Sequence, residues 1–152
     1  MNGRVWVRDY DAPRDLERCM AIWEAASADA HGFLGRAALE ADRELVRALY
    51  MPKAEILVAG TGLRVMGFLA LLDDGHVGGL FVMPGAQGGG IGRRLVEAAA
   101  ARHGALTVEV YAANAGARSF YGAMGFRATG SRAEDDQGRP HPLIAMWRPA
   151  GA

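Results

Sequence analysis

Gln87-Gly88-Gly89-Gly90-Ile91-Gly92-Arg93-Arg94 is the stretch that decides how this chain is read. It lies between a predicted strand, 76–82, and a predicted helix on which Ile91, Leu95 and Ala99 form a narrow apolar stripe, with Gly104 as its stop. Another predicted strand, Leu106 to Val110, follows. A strand–helix–strand unit of this kind demands a parallel pair of strands joined by a crossover.

The loop itself reads as an anion site. The first turn of a helix has backbone N–H groups without intrahelical partners, and the macrodipole places partial positive charge there. Glycines let that backbone approach a pyrophosphate with no Cβ in the way. Arg93 and Arg94 add positive charge where the dipole prefers acidic residues, which points to an anionic partner. The competing reading is a surface turn with solvated arginines, and the strand before and helix after weigh against it. The dinucleotide pattern GxGxxG fails, because Arg93 or Leu95 stands where the third glycine is required. The nucleotide P-loop fails as well, because Ile91 replaces its lysine.

Working outward, three short strands at 55–59, 65–72 and 76–82 are separated by the turns Gly60-Thr61-Gly62 and Asp73-Asp74-Gly75, which suggests an antiparallel meander. Gly78 and Gly79 inside the third strand mark a bulge or a close approach by a ligand. A strand at 4–8 precedes two helices. The first carries Leu16, Met20, Trp23 and Ala26, and the second carries Leu39, Leu45, Val46 and Leu49 and ends before Pro52. The segment 30–35, with Gly32 and Gly35, separates them. A short helix at 114–124 and strands at 126–130 and 143–147 complete the chain. The expected fold is α/β (α+β): a mixed sheet of six to seven strands with about four helices, in one domain over 1–152.

Lysine plus arginine equals aspartate plus glutamate at 17 each, a balance that argues against nucleic-acid binding. One cysteine, Cys19, excludes an intrachain disulfide, and its apolar helical setting reads as a buried hydrophobe. No apolar run is long enough to span a membrane, and Met1-Asn2-Gly3-Arg4 does not open a signal-peptide core, so the expected compartment is the cytoplasm. Four scattered histidines without HExxH or CxxC spacing give no metal site.

Gln87, Gly90 and Gly92 fit Gln-x-x-Gly-x-Gly, which resembles the coenzyme A pyrophosphate loop of the GNAT acetyltransferase superfamily. A second block, Asn114-Ala115-Gly116-Ala117-Arg118-Ser119-Phe120-Tyr121-Gly122-Ala123-Met124-Gly125-Phe126, matches the family's Asn-x-x-Ala-x-x-Phe-Tyr-x-x-x-Gly-Phe signature at every fixed position. The segments 21–23, 30–34, 79–82 and 135–143 are similar to the bacterial YjaB-like subgroup.

The resemblance implies a GNAT fold splayed in the middle of its sheet and acetyl transfer from acetyl-coenzyme A to a primary amine in a ternary complex. The acceptor would be a protein lysine, an N-terminus or a small amine. It further implies a coenzyme A site over Leu80, Phe81, Val82, Gln87, Gly88, Gly89, Gly90, Ile91, Gly92, Arg93, Asn114, Arg118 and Tyr121. It also allows a homodimer paired through edge strands.

The chemistry needs a neutral amine, an oxyanion donor and a proton for the departing thiolate. A tyrosine near pKa 10 is protonated at neutral pH and donates to sulfur. Tyr121 stands at the family's general-acid position, and a purely core role is the competing reading. His76, expected to share side-chain parity with Leu80 and Val82, is the candidate general base, with a solvated histidine beside a turn as the alternative. His31 and Phe33 are assigned to the acceptor pocket, with a helix-terminus role as the competing reading for His31. Glu55 and Asp74 are weaker base candidates, while His103 and His141 read as structural. A non-catalytic acyl-coenzyme A binding module is the rival function, and it would be indifferent to loss of the Tyr121 hydroxyl.

Overall fold

Strands with two apolar faces need a cover on each side, and this chain supplies one helix for each. The computed structural model describes residues 4–152, so Met1, Asn2 and Gly3 lie outside the described residues. In β2 (Glu55–Thr61), Leu57 and Ala59 join one core cluster while Ile56 and Val58 join another. Helix α1 (Ala12–Ala30) covers the second face with Cys19, Met20, Ile22 and Trp23. Helix α3 (Ile91–His103) covers the first with Ile91, Leu95, Val96 and Ala99. Fully burying one such side chain contributes about 1.5–3 kcal/mol, so two separate clusters hold the helices to the sheet. Cys19 is fully buried, which pushes its thiol up to about 12, as befits a hydrophobe.

The seven strands run in the order β1-β2-β3-β4-β5-β7-β6. β1 (Trp6–Asp9), β2, β3 (Arg64–Leu71) and β4 (His76–Val82) form the antiparallel half. β5 (Leu106–Tyr111), β7 (Leu143–Arg148) and β6 (Arg127–Arg132) form the other. The halves meet through one parallel contact, β4 on β5, and it registers only His76 with Thr107 and Val77 with Val108. Beyond Val77 the two strands part.

β2 continues through a bulge at Ala59/Gly60 where a turn was expected. A Cβ at Gly60 would lie 2.0 Å from the Arg64 carbonyl oxygen, so the close return of β3 requires glycine there.

Helix α2 (Arg36–Leu45) runs into a single π-turn at Val46–Tyr50, and neither segment contains a buried residue. Helix α4 (Ala115–Ala123) follows β5, with Asn114 as its N-cap.

Candidate active site

The parting of β4 from β5 leaves one edge of β4 unpaired over 79–82. On its other edge, Met83 N–H donates to the Met66 carbonyl at 2.8 Å. In an antiparallel ladder, residues that exchange both bonds alternate with residues that exchange none. Counting back through the register Val82↔Gly67, Phe81↔Phe68 and Leu80↔Leu69, the N–H of Phe81 is spent on β3. The N–H groups of Leu80 and Val82 face the gap. The Val82 carbonyl faces it too and accepts from Gln87 Nε2 at 3.4 Å. Unpaired amides in a protected gap are donors for a ligand's carbonyls and for a developing oxyanion.

The glycine loop opens α3 at one end of this gap. Pro84–Ala86 forms a short 3-10 turn, and Gly88 and Gly90 take φ of 84° and 91°. Gly90 is the N-cap, in the left-handed region that other residues enter at a cost. Around Gly88 and Gly90 a Cβ would meet nothing within 4 Å, so the backbone lies open to a ligand. No acidic residue occupies the first turn of α3. The Ile91 side chain is buried against Gly67, leaving only its backbone for the loop. Arg93 and Arg118 are exposed and make no ion pair among the described residues, whereas Arg94 donates to the Val5 carbonyl at 2.9 Å. Of the two loop arginines, therefore, Arg94 is tied to the chain and Arg93 is left for an anion.

α4 supplies the polar groups at the other end. Asn114 Oδ1 accepts the Ala117 N–H at 3.0 Å, and its Nδ2 lies 3.1 Å from His31 Nε2. Tyr121 is 5 % exposed, and burial raises its phenol above the ordinary value, so the hydroxyl keeps its proton. Its ring stands edge-on to Phe120 and Phe126.

Two cavities flank the gap. One, of about 410 Å³, runs along Leu80–Val82 and past Gln87, Gly88, Ile91 and Gly92. The other, of about 300 Å³, lies under α2 and the loop at 133–142, with Trp23, Phe68 and Val46 among its walls. They share His31, Leu80, Phe81, Asn114, Ala117 and Tyr121. Among the described residues, four carboxylates, Asp42, Glu109, Asp135 and Asp136, line the second cavity, and no lysine or arginine does. Arg139 pairs with Asp42 and Asp135, and Arg132 pairs with Glu109 and Asp136. Two carboxylates to one guanidinium leave each group with surplus negative charge.

The structure brings most of the sequence-derived residues together, places exposed Phe33 beside His31 and outside both cavities, and leaves His76 out. His76 donates to or accepts from Thr107 Oγ1 at 2.8 Å, at the closed end of the β4–β5 pair, and lines neither cavity. It lies roughly 13 Å along the strand from Leu80, at about 3.3 Å per residue. The expected parity with Leu80 and Val82 is also wrong. The register shift at Ala70/Leu71 leaves Gly78 as an extra residue, so Val77, not His76, shares the face of Leu80 and Val82. Glu55 is engaged by Arg102 and His103, and Asp74 lies in a turn at φ 60°. His141, read as structural, packs against Phe33 with ring centroids 5.2 Å apart and tilted by 57°, and so joins an aromatic cluster with His31 and Tyr111. Sequence reasoning missed Tyr111 and the Asp42–Arg139 pair, whose partners are 97 positions apart. Among the described residues, no three His, Cys, Asp or Glu side chains come together to hold a metal ion.

A split sheet with free amides, an open glycine-rich helix start beside it and a second cavity at the far end define a coenzyme A-dependent acyltransferase. The Acetyltransferase (GNAT) domain family matches residues 28–143, and the chain belongs to that family. It is 38 % identical over 134 residues to the peptidyl-lysine N-acetyltransferase YjaB of Salmonella typhimurium, covering 88 % of this chain and 91 % of that one. The Escherichia coli protein of the same name is 36 % identical over 86 % of this chain and 88 % of its own length. The solution structure of apo YjaB from Escherichia coli superposes with a TM-score of 0.85 at 32 % identity, over 95 % of this chain and 97 % of that one. The PaiA N-acetyltransferase of Thermoplasma acidophilum, solved with coenzyme A, shares the fold at a TM-score of 0.76 and 15 % identity, over 96 % and 99 % of the two chains. The protein is thus an acetyl-coenzyme A-dependent acetyltransferase acting on an amine.

Proposed function

We propose that this acetyltransferase modifies lysine side chains of proteins or peptides, with the residues around the β4–β5 gap in the following roles. The gap amides of Leu80 and Val82 bind the pantetheine arm and the oxyanion. The glycine loop with Gln87, Arg93 and Arg118 holds the phosphates. Tyr121 donates a proton to the leaving sulfur. His31 and Phe33 belong to the acceptor side.

The observation that carries this reading is the meeting of the two cavities at Leu80, Asn114 and Tyr121. A carrier thioester in one cavity and an amine in the other reach each other only there. The second cavity suits lysine, since apolar walls accommodate a four-carbon stem and surplus carboxylate charge at the acceptor end favours an ammonium. The names of the relatives support the same acceptor class.

Further parts of this reading are a single domain, a cytoplasmic setting, no nucleic-acid partner and a homodimer through β6. The buried free thiol and the absence of any helix long and apolar enough to cross a membrane among the described residues fit that setting. β6 ends the sheet with all six residues exposed.

The test is thiol release from acetyl-coenzyme A across a panel of lysine peptides, N-terminal amines and small amines, with Tyr121→Phe beside the parent. The expected result is turnover on lysine peptides, slowed about 10²-fold or more in the variant, consistent with loss of one proton-transfer group. Coenzyme A affinity by calorimetry should be unchanged. Equal turnover by both proteins would remove Tyr121 from the mechanism, and turnover confined to small amines would overturn the acceptor class.

A further inference from the structure

We propose that His31 is the general base that takes a proton from the acceptor ammonium, and that Asn114 holds it idle until the thioester carrier enters the cleft. This rests on amine acetylation as the reaction, and it moves the base from the closed end of the β4–β5 pair to the junction of the two cavities.

His31 follows α1 and lines both cavities, as does Asn114. The hydrogen bond between them reaches from the end of α1 to the start of α4. Its direction is fixed by the helix cap. Asn114 Oδ1 is occupied by the Ala117 N–H at 3.0 Å, so the atom 3.1 Å from His31 Nε2 is the amide nitrogen. That nitrogen only donates. His31 Nε2 therefore carries the lone pair, and the ring proton is on Nδ1. Tyr111 at 5.1 Å and Phe33 at 5.9 Å hold the ring edge-on.

The charged and titratable neighbours come from every element around it. Asp29 comes from α1, Asp42 from α2, Glu109 and Tyr111 from β5, Tyr121 from α4, and Asp135, Asp136, Arg139 and His141 from the loop at 133–142. Asp42 and Asp135 are both paired with Arg139, and Tyr111 donates to Asp135 at 2.8 Å. Burial lowers the imidazole pKa, and Asp42 opposes this more weakly, so the ring is unprotonated at neutral pH.

A pantetheine arm presents amide carbonyls to the cleft, and these compete for Asn114 Nδ2. Withdrawal of that donor leaves Nε2 bare and removes a contact that favours the neutral ring, so its basicity rises. Carrier binding thus readies the base.

The proton account closes. His31 Nε2 takes one proton from R–NH3+, and the freed nitrogen pair forms the C–N bond to the thioester carbon. As the C–S bond breaks, its electron pair goes to sulfur, which takes the Tyr121 hydroxyl proton. The second proton leaving nitrogen restores Tyr121, and His31 passes its proton to water.

Two measurements test this. In the first, side-chain ¹⁵N resonances of the histidines are titrated in the free and coenzyme A-bound parent. The expected outcome is a His31 midpoint below that of an exposed histidine, moved upward by coenzyme A. In the second, acetyl transfer to Nα-acetyl-lysine amide at saturating acetyl-coenzyme A is followed against pH for the parent, His31→Gln and His76→Ala. His31→Gln should lose the acidic limb of kcat/KM for the lysine acceptor and about 10²-fold or more in kcat. His76→Ala should keep both.

An acidic limb that survives His31→Gln, or one that disappears with His76→Ala, overturns the proposal. If the parent acetylates no amine, it is the transfer reading that fails, and the titration alone then decides. A His31 midpoint unmoved by coenzyme A overturns the proposal whether or not the variant folds.

Discussion

Asp135 keeps its negative charge at 4 % exposure. It accepts from the Tyr111 hydroxyl at 2.8 Å, the Arg139 N–H at 2.9 Å, the Gln137 N–H at 3.0 Å and the Arg139 guanidinium at 3.3 Å. Burial works against the charge, yet these donors outweigh it and hold the carboxyl below the usual carboxylate range. Its stabilising contribution is fully present above the unfolded value of about 3.9 and is lost as pH falls from there through the lower folded value. Asp135→Asn should destabilise the protein by roughly 2–4 kcal/mol at neutral pH, measured by urea unfolding. The gap between parent and variant should narrow below about pH 4. None of this network is legible from sequence. The segment around Asp135 gives no sign of it, because Tyr111 reaches the aspartate, and Asp42 its partner Arg139, only once the sheet and α2 are in place. Tyr121 and Asn114 were legible because their spacing within one short helix survives folding unchanged.

At the scale of elements, the start of α3 combines a structural need with a binding one. Gly90 sits at φ 91° and ψ 0°, a conformation that costs another residue about 1–2 kcal/mol. Gly90→Ala should lower unfolding stability by about 1 kcal/mol and raise the coenzyme A Kd, with calorimetry reading the second effect. A loss of stability with unchanged affinity would make the glycine a cap and nothing more. The loop, its helix, the three-strand meander and the parallel pair were readable from glycine placement and apolar periodicity, whereas the place of β7 between β5 and β6 was not. The face that each residue of β4 presents was not. Period-two counting assumes an unbroken ladder, and the extra residue at Gly78 exchanges the faces on either side of it. The two glycines advertised a bulge without saying which side of it His76 would share. Gly79 has a separate reason, since a Cβ there would lie 2.5 Å from the Phe81 ring.

Across the whole molecule, the sheet is two antiparallel halves held by a two-residue parallel seam. A bound pantetheine arm would complete the missing edge of β4. Amide hydrogen exchange should then show Leu80 and Val82 gaining protection on addition of coenzyme A, while Phe81, already bonded to β3, changes little. Equal gains at all three amides would contradict the ladder phase deduced from the Met83–Met66 bond. Ligand binding of this kind also raises thermal stability, by about 2.7 kcal/mol at a hundredfold excess over Kd. The splay was expected from the family signature, and the hydrophobic pattern alone could not locate it. The roof of the acceptor cavity, built from α2 and the 133–142 loop, was invisible for the same reason as the Asp135 network: its contacts are tertiary throughout.

That roof differs in kind from the rest. Helix α2 buries no residue and touches the body through half-exposed leucines and the Asp42–Arg139 pair. Its sequence is therefore free to drift without unfolding the scaffold, while α3, α4 and β4 are constrained by the core. Descendants of this chain could exchange one clientele of amines for another by rewriting ten residues of canopy, leaving the thioester machinery untouched.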